Sequence, residues 1–510
     1  MRIAVTIIIA SIVLSRSLVA QELSNRPLNV IDWIDQQPSS QTPIPLYSEP
    51  DVADSGSVPE VSVGALNTNT PRRIGLAPSS VTGLPDTLWS SSDGLLLTKQ
   101  IKAIPNLQLP ALQSLYYTLL IAEASPPSIG AETFDLIRVD ELMTLGALDS
   151  AMTLMEQIGP TTSTAHFKRY FDMALLAGTD TTACTILVDK PQLSPSKSHE
   201  IYCKARIGKW EDAVLLLGTG KALGLVPVTM ANALERFLDP DLFESEPALS
   251  MPTKPDPLSF RLYQAIGTPI PARVWPLIYA NADLADTAGW KAQVEAAERL
   301  ARVGSMAENR LLGLYTLGEP AASGGVWDRI EAIQRFEVAI NSGSSASVAT
   351  TLPDAWEAMQ RAQLAVQFAN LFSSSLSQMI LSGRTADIAF QVLSLSELYE
   401  TAAHLFPTRA IQNPVVAAIA KGNPPKSLTA IGIKRAILDG FRDAQPDQKI
   451  LEIAASGALG SALLDTVHMT DSGGKGDLAQ LTTGLATLRA LGLEDVARRT
   501  ALQILLLEVQ

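Results

Sequence analysis

The chain has 510 residues, enough for roughly two to four ordinary domains or for one elongated repeat array with a continuous core. Hydrophobic residues make up 46% and aromatic residues only 5%, an Ala- and Leu-rich balance that favours helices over β-sandwiches. With 39 basic and 52 acidic residues the net charge is −13, which disfavours nucleic acid and anionic lipid head groups as partners.

The N-terminus reads "MRIAVTIIIASIVLSRSLVAQE": Arg2 precedes an apolar run from Ile3 to Leu14, with small residues near a break at Ala20. The run is shorter than the roughly 20 residues a spanning helix needs, so it predicts a secretory signal peptide over 1–20; a retained anchor is the alternative. No cysteine follows to carry a lipid, and no later stretch reaches spanning length without charges or prolines, so no transmembrane anchor is expected after cleavage. Residues 21–84 are rich in Pro, Ser, Thr and Gly without a sustained period, and predict a disordered tail used as a flexible tether. Within it, at 28–36, Val30, Ile31, Trp33 and Ile34 form a short apolar cluster, a candidate docking motif for a partner or for the chain's own helices.

An N-terminal helical-repeat module is expected over 85–238. Gly146 precedes Ala151, Gly178 precedes Ala183, Gly208 precedes Ala213 and, far downstream, Gly492 precedes Ala497, all at identical spacing and between apolar helical runs. Each predicts a helix ended by a left-handed glycine, a tight turn, and a second helix whose alanine permits close packing. The first three glycines lie 32 (146 to 178) and 30 (178 to 208) residues apart, a period expected of two-helix repeats. The stretch "GKWEDAVLLL" resembles tetratricopeptide repeats, with Trp210 at that family's aromatic turn position and Ala213 at its small packing position. Glu200, Ile201 and Lys204 do not meet the family's upstream positions. The resemblance therefore implies a tetratricopeptide-like α-solenoid without the standard peptide groove.

Cys184 belongs to the second helix of one expected repeat and Cys203 to the first helix of the next. Their mean position, 193.5, is the middle of the loop "KPQLSP" at 190–195, so antiparallel neighbours bring both to one level and make a disulfide geometrically plausible. Two unpaired core thiols are the alternative. A Pro-rich acidic linker is expected over 239–257, followed by a C-terminal helical module over 258–510 with strong helices in "GWKAQVEAAERLARVG", "DRIEAIQRFEVAI" and "DAWEAMQRAQLAVQFANLF".

Residues 298–330, with "IDWI" near the start and "LPDTLW" at 84–89, resemble a group of exported alphaproteobacterial proteins of unknown function, some labelled as like antifreeze glycopeptide precursors. That resemblance implies export, and periplasmic location in cells with two membranes, but no activity. In "EPAASGGVWDR" at 319–329, Ser323, Gly324, Gly325 and Asp328 form a candidate ligand-contacting loop, with a plain interhelix turn as the alternative.

Other motifs are incomplete. Gly220-Lys221 and "DSGGKGD" at 471–477 lack the remaining P-loop residues. His166, His199, His404 and His468 form no ligand pair at helical spacing, and Pro240 breaks the calcium-loop pattern in "DPDLFESE", so neither a metal nor a cofactor is expected. Ser194 with Lys197, and Glu244-Ser245, match fragments of cell-wall enzyme motifs without the companions those motifs need. The expectation is a non-enzymatic exported scaffold that binds another cell-envelope protein. An enzyme or regulator acting on cell-wall polymer, and a structural envelope spacer, are the alternatives.

Overall fold

The computed structural model describes residues 72–507, apart from 255 and 286. The expected signal peptide, the tail up to residue 71, and Val30, Ile31, Trp33 and Ile34 lie outside the described residues. The described residues form one compact unit. It is all-α: among the described residues extended pairing is limited to isolated bridges such as Ile74 with Ala124.

The first half holds α1 (Ser79–Thr82), α2 (Gly94–Ala103), α3 (Pro110–Ile121), α4 (Ala131–Thr144), α5 (Leu148–Ile158), α6 (Thr164–Ala177), α7 (Asp180–Asp189), α8 (Lys197–Arg206), α9 (Trp210–Ala222) and α10 (Val228–Leu238). The chain continues through α11 (Pro257–Ala265), a 3-10 segment at Leu277–Leu284, α12 (Trp290–Ala301), α13 (Glu308–Tyr315), α14 (Val326–Asn341), α15 (Ser345–Arg361), α16 (Ala365–Ser377) and α17 (Gly383–Leu395). It ends with α18 (Tyr399–Leu405), α19 (Pro407–Gln412), α20 (Pro414–Ala420), α21 (Gly432–Gly440), α22 (Gln448–Ala455), α23 (Leu459–Gly474), α24 (Leu478–Ala490) and α25 (Glu494–Leu506).

Local chemistry sets many of these ends. Asp93, Asp256, Asp447 and Asp477 accept backbone N–H bonds as N-caps of α2, α11, α22 and α24, satisfying donors that a helix start leaves free. At the other end, Gly146, Gly178, Gly208 and Gly492 all have φ between 74° and 84°, in the left-handed region. The residue after each donates to the carbonyl five before it, as Ala147 does to Leu142 at 2.8 Å and Lys209 to Lys204 at 2.8 Å, which is the Schellman closure. Ala151, Ala183, Ala213 and Ala497, five residues past these glycines, are fully buried.

From α4 to α10 each helix packs on the next, as stacked hairpins require. Beyond residue 239 the order changes. Helix α11 returns onto α6, and the 3-10 segment at 277–284 packs on α4, α6 and α12. Asn281 Nδ2 donates to the Gly146 carbonyl at 2.9 Å, and Ser305 Oγ to the Leu145 carbonyl at 2.6 Å, so the second half caps a turn of the first. The chain then closes: α23 packs on α2 and α3, and α25 on α3, α17, α20 and α24.

One boundary needs correction. The tail was expected to run to residue 84, yet residues 72–84 belong to the packed body. Ile74 and Leu84 are buried, Leu76 N donates to Ile121 O at 2.7 Å, and Glu123 N donates to Ala77 O at 2.8 Å. Arg138, which is 1% exposed, ties Ile74 to this packing by donating to the carbonyls of Leu120, Ala122 and Ile74. Burial lowers its pKa to about 10, still high enough to keep the guanidinium charged at neutral pH. The acidic stretch from 239 to 254 is mostly exposed, but Tyr263 on α11 donates to Ser250 O at 2.8 Å and anchors its end.

Candidate functional site

Helices α14 and α15 form a hairpin, and an open groove of about 470 Å³ runs along it. Its rim includes Gly325, Asp328, Arg329 and Arg335 from the α14 side and Asp354 and Arg361 from α15. The loop singled out in the sequence thus forms one end of the groove. Gly324 (φ 95°) and Gly325 (φ 61°) hold backbone angles that side-chain-bearing residues rarely adopt. Gly324 N donates to Asp328 Oδ1 at 2.7 Å, and Asp328 lies in the first turn of α14, where a carboxylate suits the helix dipole. Ser323 is exposed.

Upstream the loop is fixed by packing. Trp290 donates to Leu314 O at 2.7 Å and meets Trp327 edge-on at 5.2 Å, while Gln334 donates to the carbonyls of Tyr315 and Gly318.

Behind the groove lies a buried carboxylate with donors around it. Glu298 on α12 is 2% exposed and accepts both Nε and Nη2 of Arg329 at 2.6 Å. It also accepts the Tyr315 hydroxyl at 2.8 Å and Arg302 Nη2 at 3.4 Å. Burial, reinforced by the Glu298 charge, pushes the Tyr315 phenol well above its ordinary range and keeps it a donor. A carboxylate bound by a bidentate guanidinium and a phenol has its acceptor sites engaged. Its role is to lock α12, α13 and α14 together. In contrast, Arg335, Glu331 and Asp354 are exposed on the groove and enter no ion pair among the described residues. They are free to meet a polar ligand.

Cys184 and Cys203 form a disulfide between α7 and α8 with their Cα atoms 4.7 Å apart. The bond points to an oxidising compartment, and no helix among the described residues is long and apolar enough to cross a membrane. Trp210 opens α9 and packs at a tilt against Phe237 of α10, ring centroids 5.8 Å apart.

The fragments of enzyme motifs are engaged elsewhere. Ser194 Oγ donates to Ser196 O, and Lys197 pairs with Glu200 at 2.7 Å. Lys221 pairs with Glu235, and Lys475 with Asp471 at 2.7 Å. The four histidines sit on α6, α8, α18 and α23, not on the helices of the groove. Among the described residues no cluster of potential metal ligands occurs.

Sequence reasoning missed Glu298, Tyr315 and Arg329 as a unit, because the partners stand up to 31 residues apart with no local pattern. It also missed two further glycine turns of the same spacing: Gly267 (φ 76°) with buried Ala272, and Gly457 (φ 91°) with fully buried Ala462. The same spacing was the available signal. Compared with protein-family models, curated proteins and solved structures, the chain matches none.

Proposed function

We propose that the chain is an exported, non-enzymatic scaffold, built on tetratricopeptide-like helical hairpins, that holds another protein of the cell envelope. The observation that carries this reading is the α14–α15 groove, open and lined by charges of both signs, several of them without partners. Such a surface suits an extended polar segment of a partner, which charge complementarity would orient. The disulfide supports export, since cytosolic thiols are kept reduced. The rival reading, an enzyme acting on wall polymer, finds less support. The buried carboxylate nearest the groove is Glu298, and Arg329, itself part of the groove wall, already occupies it.

The test is crosslinked affinity purification from envelope extracts, with the wild-type chain beside Arg335→Glu and Asp354→Lys. Recovery of a specific partner is expected to fall about tenfold in each variant, the scale of losing an interface charge pair. Equal recovery removes the groove from the reading. Reproducible absence of any partner, together with wall degradation by the purified protein, replaces it with the enzyme reading.

A further inference from the structure

We propose that the cleft between α3 and α25 is a binding site for a free α-amino acid with an apolar side chain. This site is separate from the α14–α15 groove and does not depend on the function proposed for it. The cleft has a volume of about 160 Å³, well under the roughly 300 Å³ at which drug-sized pockets begin, so its ligand is small. The α3 wall presents Ser114, Leu115 and Thr118, which share one helical face, and the α25 wall presents Asp495, Val496 and Arg499. Ala111 N donates to Oε1 of the buried Gln503 at 2.9 Å, which fixes the two helices against each other.

Arg499 is the residue that calls for a ligand. Its side chain is 22% exposed, yet among the described residues its guanidinium makes no hydrogen bond, and its Nε is shut off from water without an acceptor. Other withdrawn arginines are engaged. Arg329 holds Glu298 through two bonds, and Arg498, next to Arg499 on the same helix, holds Glu494 and Glu400. Donors withdrawn from water cost free energy until an acceptor reaches them, and the guanidinium fork matches a carboxylate. The one carboxylate within ion-pair reach among the described residues is Asp495. Its Oδ2 stands 3.8 Å from Arg499 Nη1, too far for a hydrogen bond, and its Oδ1 already accepts the Tyr399 hydroxyl at 2.9 Å.

Asp495 selects the class of ligand. It is 60% exposed against 22% for Arg499, so it stands at the mouth of the cleft with the guanidinium deeper. A bare anion must pass this carboxylate, on a chain whose net charge is −13, to reach Arg499. A zwitterion turns the same arrangement into attraction. Its carboxylate meets Arg499 and its ammonium meets Asp495, the two charges being neighbours in the ligand as they are in the site. Leu84, Leu115, Leu493 and Val496 supply the apolar surface for a side chain, and Ser114 adds a hydroxyl.

Isothermal titration calorimetry of the full chain with L-leucine tests this. Saturable binding is expected, with a dissociation constant of about 1 mM or tighter. Leucinamide, which lacks the carboxylate, and 4-methylpentanoate, which lacks the ammonium, are each expected to bind about tenfold more weakly or worse. Arg499→Gln is expected to weaken L-leucine by the same factor. Asp495→Asn is expected to weaken L-leucine but not 4-methylpentanoate, a split that a general loosening of the cleft would not give. Ser114→Trp, at an exposed position, fills the cleft and is expected to abolish binding, and circular dichroism checks that the variants keep the helical signal. Absence of saturable binding up to about 10 mM L-leucine overturns the proposal. So does 4-methylpentanoate or inorganic phosphate binding as tightly as L-leucine, or L-leucine binding unaffected by Arg499→Gln and Ser114→Trp.

Discussion

The hairpin run from α4 to α10 and the seam where α2 and α3 meet α23 and α25 are both packed helices, assembled over very different stretches of chain. In the run, each helix finds its partner in the next one. In the seam, Gln100 donates to Asp465 at 2.8 Å across 365 positions, and the Ala111 amide donates to Gln503 at 2.9 Å across 392. Closing a long loop adds little to the entropic cost of a short one, so the seam is thermodynamically affordable. It is kinetically expensive, because its contacts reward the chain only after most of the polymer is in place. The run is therefore expected to form early and the seam late.

The largest expected effect separates the two. Trp89 is buried against Phe134, ring centroids 4.9 Å apart, and lies over Gly460, whose amide donates to Leu88 O at 3.0 Å. Trp89→Ala is expected to cost about 4 kcal/mol in urea unfolding, the usual range for emptying a core aromatic site. Hydrogen exchange should show the loss first in the amides of α23, with α7 and α8 retaining protection. Equal loss in both regions would mean that they unfold as one unit and would erase the distinction.

A smaller effect addresses the run itself. The Cys184–Cys203 bond closes a loop of 19 positions between adjacent helices. Reduction, or the pair of changes Cys184→Ser and Cys203→Ser, is expected to cost about 3 kcal/mol by restoring freedom to the unfolded chain. The loss should loosen α7 and α8 while leaving the Trp89 site protected. A melting curve unchanged by reducing agent would contradict it.

What could be read from the sequence follows the same division. A helix stop is local chemistry, so a glycine followed five residues later by alanine was visible at 146, 178, 208 and 492. The turn also occurs at Gly343 and Gly476, and at Gln363, the one non-glycine residue with positive φ among those described. There the fifth residue is Val348, Leu481 or Phe368, and the alanine pattern failed to find them. The level of the two cysteines followed from antiparallel neighbours, again a local matter. The packing of residues 72–84 was hidden because their Pro- and Gly-rich composition carries no period, and their partners, such as Ile121, Gln157 and Arg138, lie far along the chain. At the groove, the glycines and Asp328 were legible as a loop, whereas Arg335 and Asp354 read only as ordinary helix-surface charges. Nothing in either helix alone reveals that the two surfaces face one groove.

The finest test uses two glycines that look alike in sequence. Gly208 and Gly146 both end a helix in the left-handed region, at φ 83° and 74°. An added Cβ at Gly208 meets nothing within 4 Å, so Gly208→Ala carries only the backbone penalty of about 1 kcal/mol. At Gly146 an added Cβ would meet Leu300 at 2.6 Å and Leu277 at 2.9 Å, side chains delivered by the returning second half. Gly146→Ala therefore adds a packing term to the backbone term and should cost more, by about 1 kcal/mol or above. Because both contacts are flexible leucine ends, part of that excess is relieved by side-chain movement. Pairing each glycine change with Leu277→Ala isolates the remainder: the cost at 146 should shrink toward that at 208, and the cost at 208 should stay as it was. If the two single changes cost the same, the second half does not press on this turn, and the run behaves in solution as an independent stack.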